Sequence, residues 1–325
     1  PTRRSSDLAA AGLDPWATPQ AYDNAKDFFD TGITWSNSLN VAQMLDKSSY
    51  SISLGNTHQD GIISSTGMDR YNVKVSADTK LTNNWSSGFT ANYITTSIDK
   101  AVTSGNGLLR TVYAAPPSYD LAGIPSHVDG NPYTQNSFRG SFDNAYWAME
   151  NNKFTEDTNR FFGNVYASYQ TDFGTTNHKL NAKYMVGVDA YTTHYVDSYG
   201  YGSNTGGGRG QIENYGWTNA TYNSLLTINY DWHINEDWGL NAVVGNEIIQ
   251  SNRKKYYEYG TNYNFPGWNH INNATTQQTE EETWKNRTVG FFGNVSASYR
   301  NMLYLTLTGR QDYVSNMPRN NRSFF

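Results

Sequence analysis

Residues 286–312 alternate apolar and polar side chains with a period of two. Val289, Phe291, Val295, Ala297 and Tyr299, then Leu303, Leu305 and Leu307, are apolar, whereas Thr288, Asn294, Ser296, Ser298, Thr306, Thr308 and Arg310 are polar. Successive side chains of an extended strand point to opposite faces, so this stretch is a hairpin with one greasy face and one wet face. Its first arm is reused: residues 161–169 and 291–299 are identical at eight of nine places. The same two-faced pattern runs through predicted strands at 33–42, 48–57, 69–79, 85–97, 159–171, 178–192, 213–230, 237–254, 284–299 and 302–313.

The connections say what such strands build. Those at 43–47, 80–84, 172–177, 231–236 and 300–301 are short, those at 58–68, 98–158, 193–212 and 255–283 are long, and the two kinds alternate. Short turns at one end and long loops at the other are the layout of an antiparallel transmembrane β-barrel of the outer-membrane type, which a soluble sandwich has no reason to follow. Trp85, Tyr169, Tyr230, Trp238 and Tyr299 each sit beside a short turn and share the apolar parity of their strand. Amphipathic rings at that depth form a membrane girdle.

Composition agrees. Charged residues are 16% and hydrophobic ones 37%, while aromatics reach 15% with 25 Tyr. A sheet wetted on one face and greased on the other has this arithmetic. No apolar run approaches the roughly 18 residues of a membrane helix. Cysteine is absent, which removes disulfides, thiol catalysis and thiolate metal sites. A net charge of −5 gives no reason to expect nucleic acid. Residues 1–8 lack a signal-peptide core and read as a non-native leader; 9–32 read as an extracellular loop segment with a short helix near 21–29, and 33–325 as a partial barrel. Residues 320–325 stop within a polar loop, so both ends look cut and the chain reads as a piece of a larger barrel.

Chemistry-bearing motifs are sparse. The six His are scattered without metal-ligand spacing, so no zinc site is expected. The glycine run at 206–210 lacks the Lys-Ser/Thr of a phosphate loop, and Glu280, Glu281 and Glu282 form a solvated run. No catalytic residue or cofactor is expected. Recognition is assigned to the long loops, whose rings suit sugar faces and hydroxyls, or equally a partner protein: Trp147, Tyr199, Tyr201, Tyr257 and Trp268 are the candidates.

Several local runs resemble the SusC/RagA family of TonB-dependent outer-membrane transporters. They are Asp27-Phe28-Phe29-Asp30-Thr31-Gly32, Ala114-Ala115-Pro116-Pro117, Asn144-Ala145-Tyr146-Trp147 with Asn151-Asn152-Lys153, and the closing run from Leu303 to Asp312 followed by Pro318 and Asn321-Arg322-Ser323-Phe324-Phe325. Ala145 stands where the family usually has Pro. The resemblance implies a barrel of 22 strands, of which about ten lie here, in the outer membrane of a Gram-negative, Bacteroidetes-type cell. It implies a plug and a TonB-contacting segment that these residues do not include, import of glycans or peptides, and a SusD-like surface lipoprotein as partner. The protein would be a transporter and not an enzyme. A passive porin or adhesin barrel shares all the periodicity, and a soluble carbohydrate-binding β-protein would share the aromatic content.

Overall fold

The computed structural model describes residues 3–4, 9, 12, 16–17, 20–102, 107–300 and 302–324. Ten long strands follow one another as an antiparallel meander, each paired with the next: β1 (Thr34–Met44), β2 (Ser48–Asp60), β3 (Gly67–Lys80), β4 (Trp85–Asp99), β5 (Lys153–Thr171), β6 (His178–Tyr199), β7 (Gln211–His233), β8 (Trp238–Tyr263), β9 (Ala274–Tyr299) and β10 (Leu303–Val314). A two-residue β11 (Ser323–Phe324) pairs with Asp312 and Tyr313. All ten predicted strands are present. Among the described residues β1 and β10 do not pair with each other. Most of the predicted leader, residues 1–8, lies outside the described residues, but Arg3–Arg4 pairs with Trp16–Ala17.

Register turns the one-dimensional alternation into two-dimensional faces. One row runs Tyr50, Ala77, Phe89, Val165, Val186 across β2 to β6, and another runs Leu240, Ala297, Leu305 across β8 to β10. These apolar rows are open to the outside: Val295 is 45% exposed and Leu305 64%. A contiguous apolar surface of this extent is untenable in water and is what a lipid-facing wall requires. The opposite parity carries hydrogen-bonded polar pairs such as Ser51 with Ser76 at 2.7 Å and Ser296 with Thr306 at 2.9 Å. The rings expected to form a girdle pack beside the short turns: Trp85 on Tyr169 with ring centroids 5.0 Å apart, Trp238 on Tyr299 at 4.8 Å, and Tyr230 on His178 at 6.0 Å. From Trp238 to Ile248, both on the lipid side of β8, the chain rises about 25 Å along the membrane normal at roughly 3.3 Å per residue and a tilt of about 40°.

Strand ends at the short turns match expectation closely, whereas the other ends run much further than the sequence suggested. The connection expected at 255–283 shrinks to 264–273, that at 193–212 to 200–210, that at 98–158 to 100–152 and that at 58–68 to 61–66. Above the lipid both faces meet water, so the apolar alternation stops, yet neighbouring strands still satisfy one another's backbone groups and the ladder continues.

The larger buried core lies in the connections and not in the sheet. α1 (Asn24–Phe28), capped by the Asp23 carboxylate, supplies Phe28; the 61–66 turn supplies Ile63. The long connection supplies Leu108 and Val112 from α2 (Leu108–Ala114), Tyr119, Leu121 and Ile124, and Trp147 from α3 (Ala145–Asn151), whose Asn144 cap accepts from the Tyr146 and Trp147 amides. Loop 200–210 locks onto this unit. The buried Asp143 carboxylate accepts from Gln135 Nε2 (2.7 Å), Ser203 Oγ (2.6 Å) and the Asn204 amide (2.7 Å). Gly202 has φ 100°, and a Cβ there would lie 2.2 Å from the Tyr133 carbonyl oxygen, so this contact requires glycine. Asn269 Nδ2 ties the 264–273 loop to the Asn151 carbonyl at 3.2 Å.

Candidate ligand-binding wall

The polar parity of β5 to β9, above the lipid band, carries a wall of rings and charges. Register places Glu156, Tyr195, Tyr215, Tyr257 and Glu280 in one row across five strands. Tyr195 and Tyr215 stack nearly parallel, 4.8 Å apart and 7° off, and Tyr257 lies 6.3 Å beyond. Trp217 meets Tyr195 and Tyr215 edge-on at 5.5 and 6.1 Å. Offset and edge-on packing of this kind fixes ring orientation and leaves a rigid aromatic surface. All these residues face away from the lipid because each has the parity opposite to that of its strand's apolar row.

Charge is unevenly distributed over the wall. Lys100 Nζ stands 3.5 Å from Glu156 Oε2 and 4.6 Å over the Tyr195 ring. Asp197 and Glu213 are direct cross-strand partners, an arrangement in which like charges repel. Burial, with repulsion from Asp197 added, raises the Glu213 carboxyl above the usual Glu range, against a hydrogen bond from Tyr257. The Tyr215 hydroxyl donates to Asp197 at 3.1 Å and is raised by burial first and by that carboxylate second. Lower down, the Arg253 guanidinium carbon lies 5.3 Å from the Trp217 ring and 5.5 Å from the Trp284 ring.

The five candidate residues do not form one site. Tyr257 is on the wall and on a strand, not in a loop. Tyr199 is on β6 above it, edge-on to Phe154 at 5.2 Å. Tyr201 packs on a second small core of Ile212, Tyr263 and Ala274. Trp268 is at an exposed loop tip, stacked on Phe265 and His270. Trp147 is completely buried, and its Nε1–H donates to the Pro132 carbonyl at 2.7 Å; its ring is a packing element of the loop core. Tyr215, Trp217, Arg253 and Trp284 were not singled out by sequence. The available signal was parity: each falls at the polar parity of a strand that carries its apolar residues on the other.

Two curated proteins of Formosa agariphila match this chain in sequence. TonB-dependent receptor P3 is 24% identical over 94% of the chain and 31% of its own length, and TonB-dependent receptor P26 is 24% identical over 100% and 32%. Both of these relatives are TonB-dependent receptors, and the likeness runs along nearly the whole of this chain. The chain spans about a third of the length of these curated relatives. No family model matches the chain. Its fold matches solved structures of RagAB, described as a peptide importer. The closed-closed state superimposes with a TM-score of 0.76 at 17% identity, covering 94% of this chain and 34% of that one. The open-open state gives 0.78 at 15%, covering 99% and 37%. The sheet thus matches an arc of a larger barrel, with the paired rings of Trp85, Tyr169, Trp238 and Tyr299 at its short-turn rim and the aromatic wall at the other.

Proposed function

We propose that this receptor chain forms part of the wall of an active importer in a Bacteroidetes-type outer membrane. It takes up peptides with energy delivered through TonB and works with a SusD-like surface lipoprotein. The observation that carries the reading is the joint placement of a continuous lipid-facing band and, directly above it on the other face, a preorganised aromatic wall beneath interlocked loops. Rings that are fixed before a ligand arrives lose little entropy on binding, which suits capture of flexible chains. The likeness to RagAB supports peptide over glycan as the cargo, and the SusC/RagA-like sequence runs support the surface partner. The protein is then a transporter, with no step for an enzyme to catalyse.

Uptake of fluorescently labelled oligopeptides and oligosaccharides by cells carrying the intact receptor tests this. Replacing Tyr215, Trp217 and Tyr257 together by Ala should reduce peptide uptake at least tenfold while heat-modifiability on gels stays normal. Oligosaccharide uptake without peptide uptake, or peptide uptake indifferent to the triple change, would refute the reading.

A further inference from the structure

Arg253 stands apart from the other cations on the polar face of the wall. Lys100 meets Glu156 at 3.5 Å, Lys255 meets Glu282 at 3.7 Å, and Arg160 meets Asp189 at 2.6 Å. Arg310 engages both Glu247 (2.8 Å) and Asp312 (2.9 Å). Among the described residues Arg253 has no carboxylate within 4.0 Å and is exposed. Its contacts are instead two indoles from the two neighbouring strands. Trp284 of β9 is its direct register partner, and Trp217 of β7 lies one pair above Asn219, its partner on that side.

Ring faces hold a guanidinium through its plane and leave its five N–H donors at the edge free. The arrangement restricts a flexible cation before any ligand is present.

We propose that Arg253, held over the Trp217 and Trp284 rings, is an anchor for a carboxylate of the imported ligand. This rests on the peptide reading above, where the carboxylate is that of the peptide C-terminus. The rest of the wall fixes the direction of the bound chain. Asp197, Glu213 and Glu280 lie above Arg253 on the same face and repel a carboxylate, so the acid end settles at Arg253 and the amino end points toward the acids. Tyr259, the register partner of Glu213, is six positions from Arg253 along β8, or about 20 Å at roughly 3.3 Å per residue. An extended peptide of about six residues covers that span, laying its side chains on Tyr215, Trp217 and Tyr257.

Fluorescence anisotropy of the intact receptor in detergent, with labelled hexapeptides of uncharged side chains that end in a free carboxylate or an amide, tests the proposal. The free acid should bind at least tenfold more tightly than the amide at low salt. Arg253→Gln should bring the acid-to-amide ratio close to one, and Arg253→Lys should restore part of the preference, because a point charge replaces the fork. Equal binding of acid and amide to the native receptor, or a preference that survives Arg253→Gln, overturns the anchor and leaves peptide import standing. Failure of both peptides to bind overturns peptide import and the anchor with it. Should Arg253→Gln not assemble, judged by heat-modifiability, the acid-to-amide ratio on the native receptor decides alone.

Discussion

Replacing Asp143 by Ala should free loop 200–210 from the loop core without disturbing the barrel. The carboxylate is buried, and its two oxygens receive Gln135 Nε2, Ser203 Oγ and the Asn204 amide, all within 2.7 Å. Gln135 Nε2 keeps a second acceptor in the Gly202 carbonyl at 2.8 Å, so its loss is partial. Ser203, wholly buried, and the Asn204 amide lose the acceptor they share with it. Two stranded donors at about 1–3 kcal/mol each put the cost at about 2–6 kcal/mol. At 1.4 kcal/mol per factor of ten, local opening of the loop should become roughly thirty- to twenty-thousand-fold more frequent. Hydrogen exchange on the intact receptor in detergent reads this directly: amides of 200–210 should exchange faster by that factor, while those of β8 and β9 below the rim stay protected. Asp143→Asn should give a smaller change, since its amide oxygen can still accept. Unaltered exchange in 200–210, or loss of protection through the whole sheet, would refute the view of Asp143 as a local clasp.

Three further outcomes follow from the same geometry. Cysteines at Phe291, Val295 and Leu305 should resist a membrane-impermeant thiol reagent while those at Asn294, Ser296 and Thr306 react from the lumen side; equal labelling would contradict the face assignment. Val244→Arg on the lipid side should cost about 2–4 kcal/mol and reduce assembly on heat-modifiability gels, whereas Lys183→Arg on the polar side should be tolerated. The raised Glu213 carboxyl means the folded state holds that proton more tightly than the unfolded one. Its contribution therefore favours the folded wall below the ordinary Glu range and falls as pH rises through the raised folded value. Hydrogen-exchange protection of the upper β6–β7 strands should accordingly increase on acidification toward that range, and Glu213→Gln should flatten the response.

The strand count, the two faces and the end at which the turns lie were legible in sequence because lipid imposes them residue by residue. A strand with hydrocarbon on one side and water on the other must alternate, as Val289, Phe291, Val295 and Ala297 do against Asn294 and Ser296. The pairing of Trp85 with Tyr169 beside a short turn was legible for the same reason, since depth and parity are both readable along a single strand. Above the lipid that contrast ends. Tyr256, Tyr257 and Tyr259 then read as a loop although they continue β8, because ladder bonding persists where patterning does not. Which rings meet was decided only by the tertiary structure: Tyr195, Tyr215 and Tyr257 share a row through the register of three strands, set by turns and tilt that no local run encodes. Trp147 shows the same limit from the other side. Its sequence context is a long polar connection, and only the packing of that connection with Phe28, Leu121 and Val112 makes it the centre of a core.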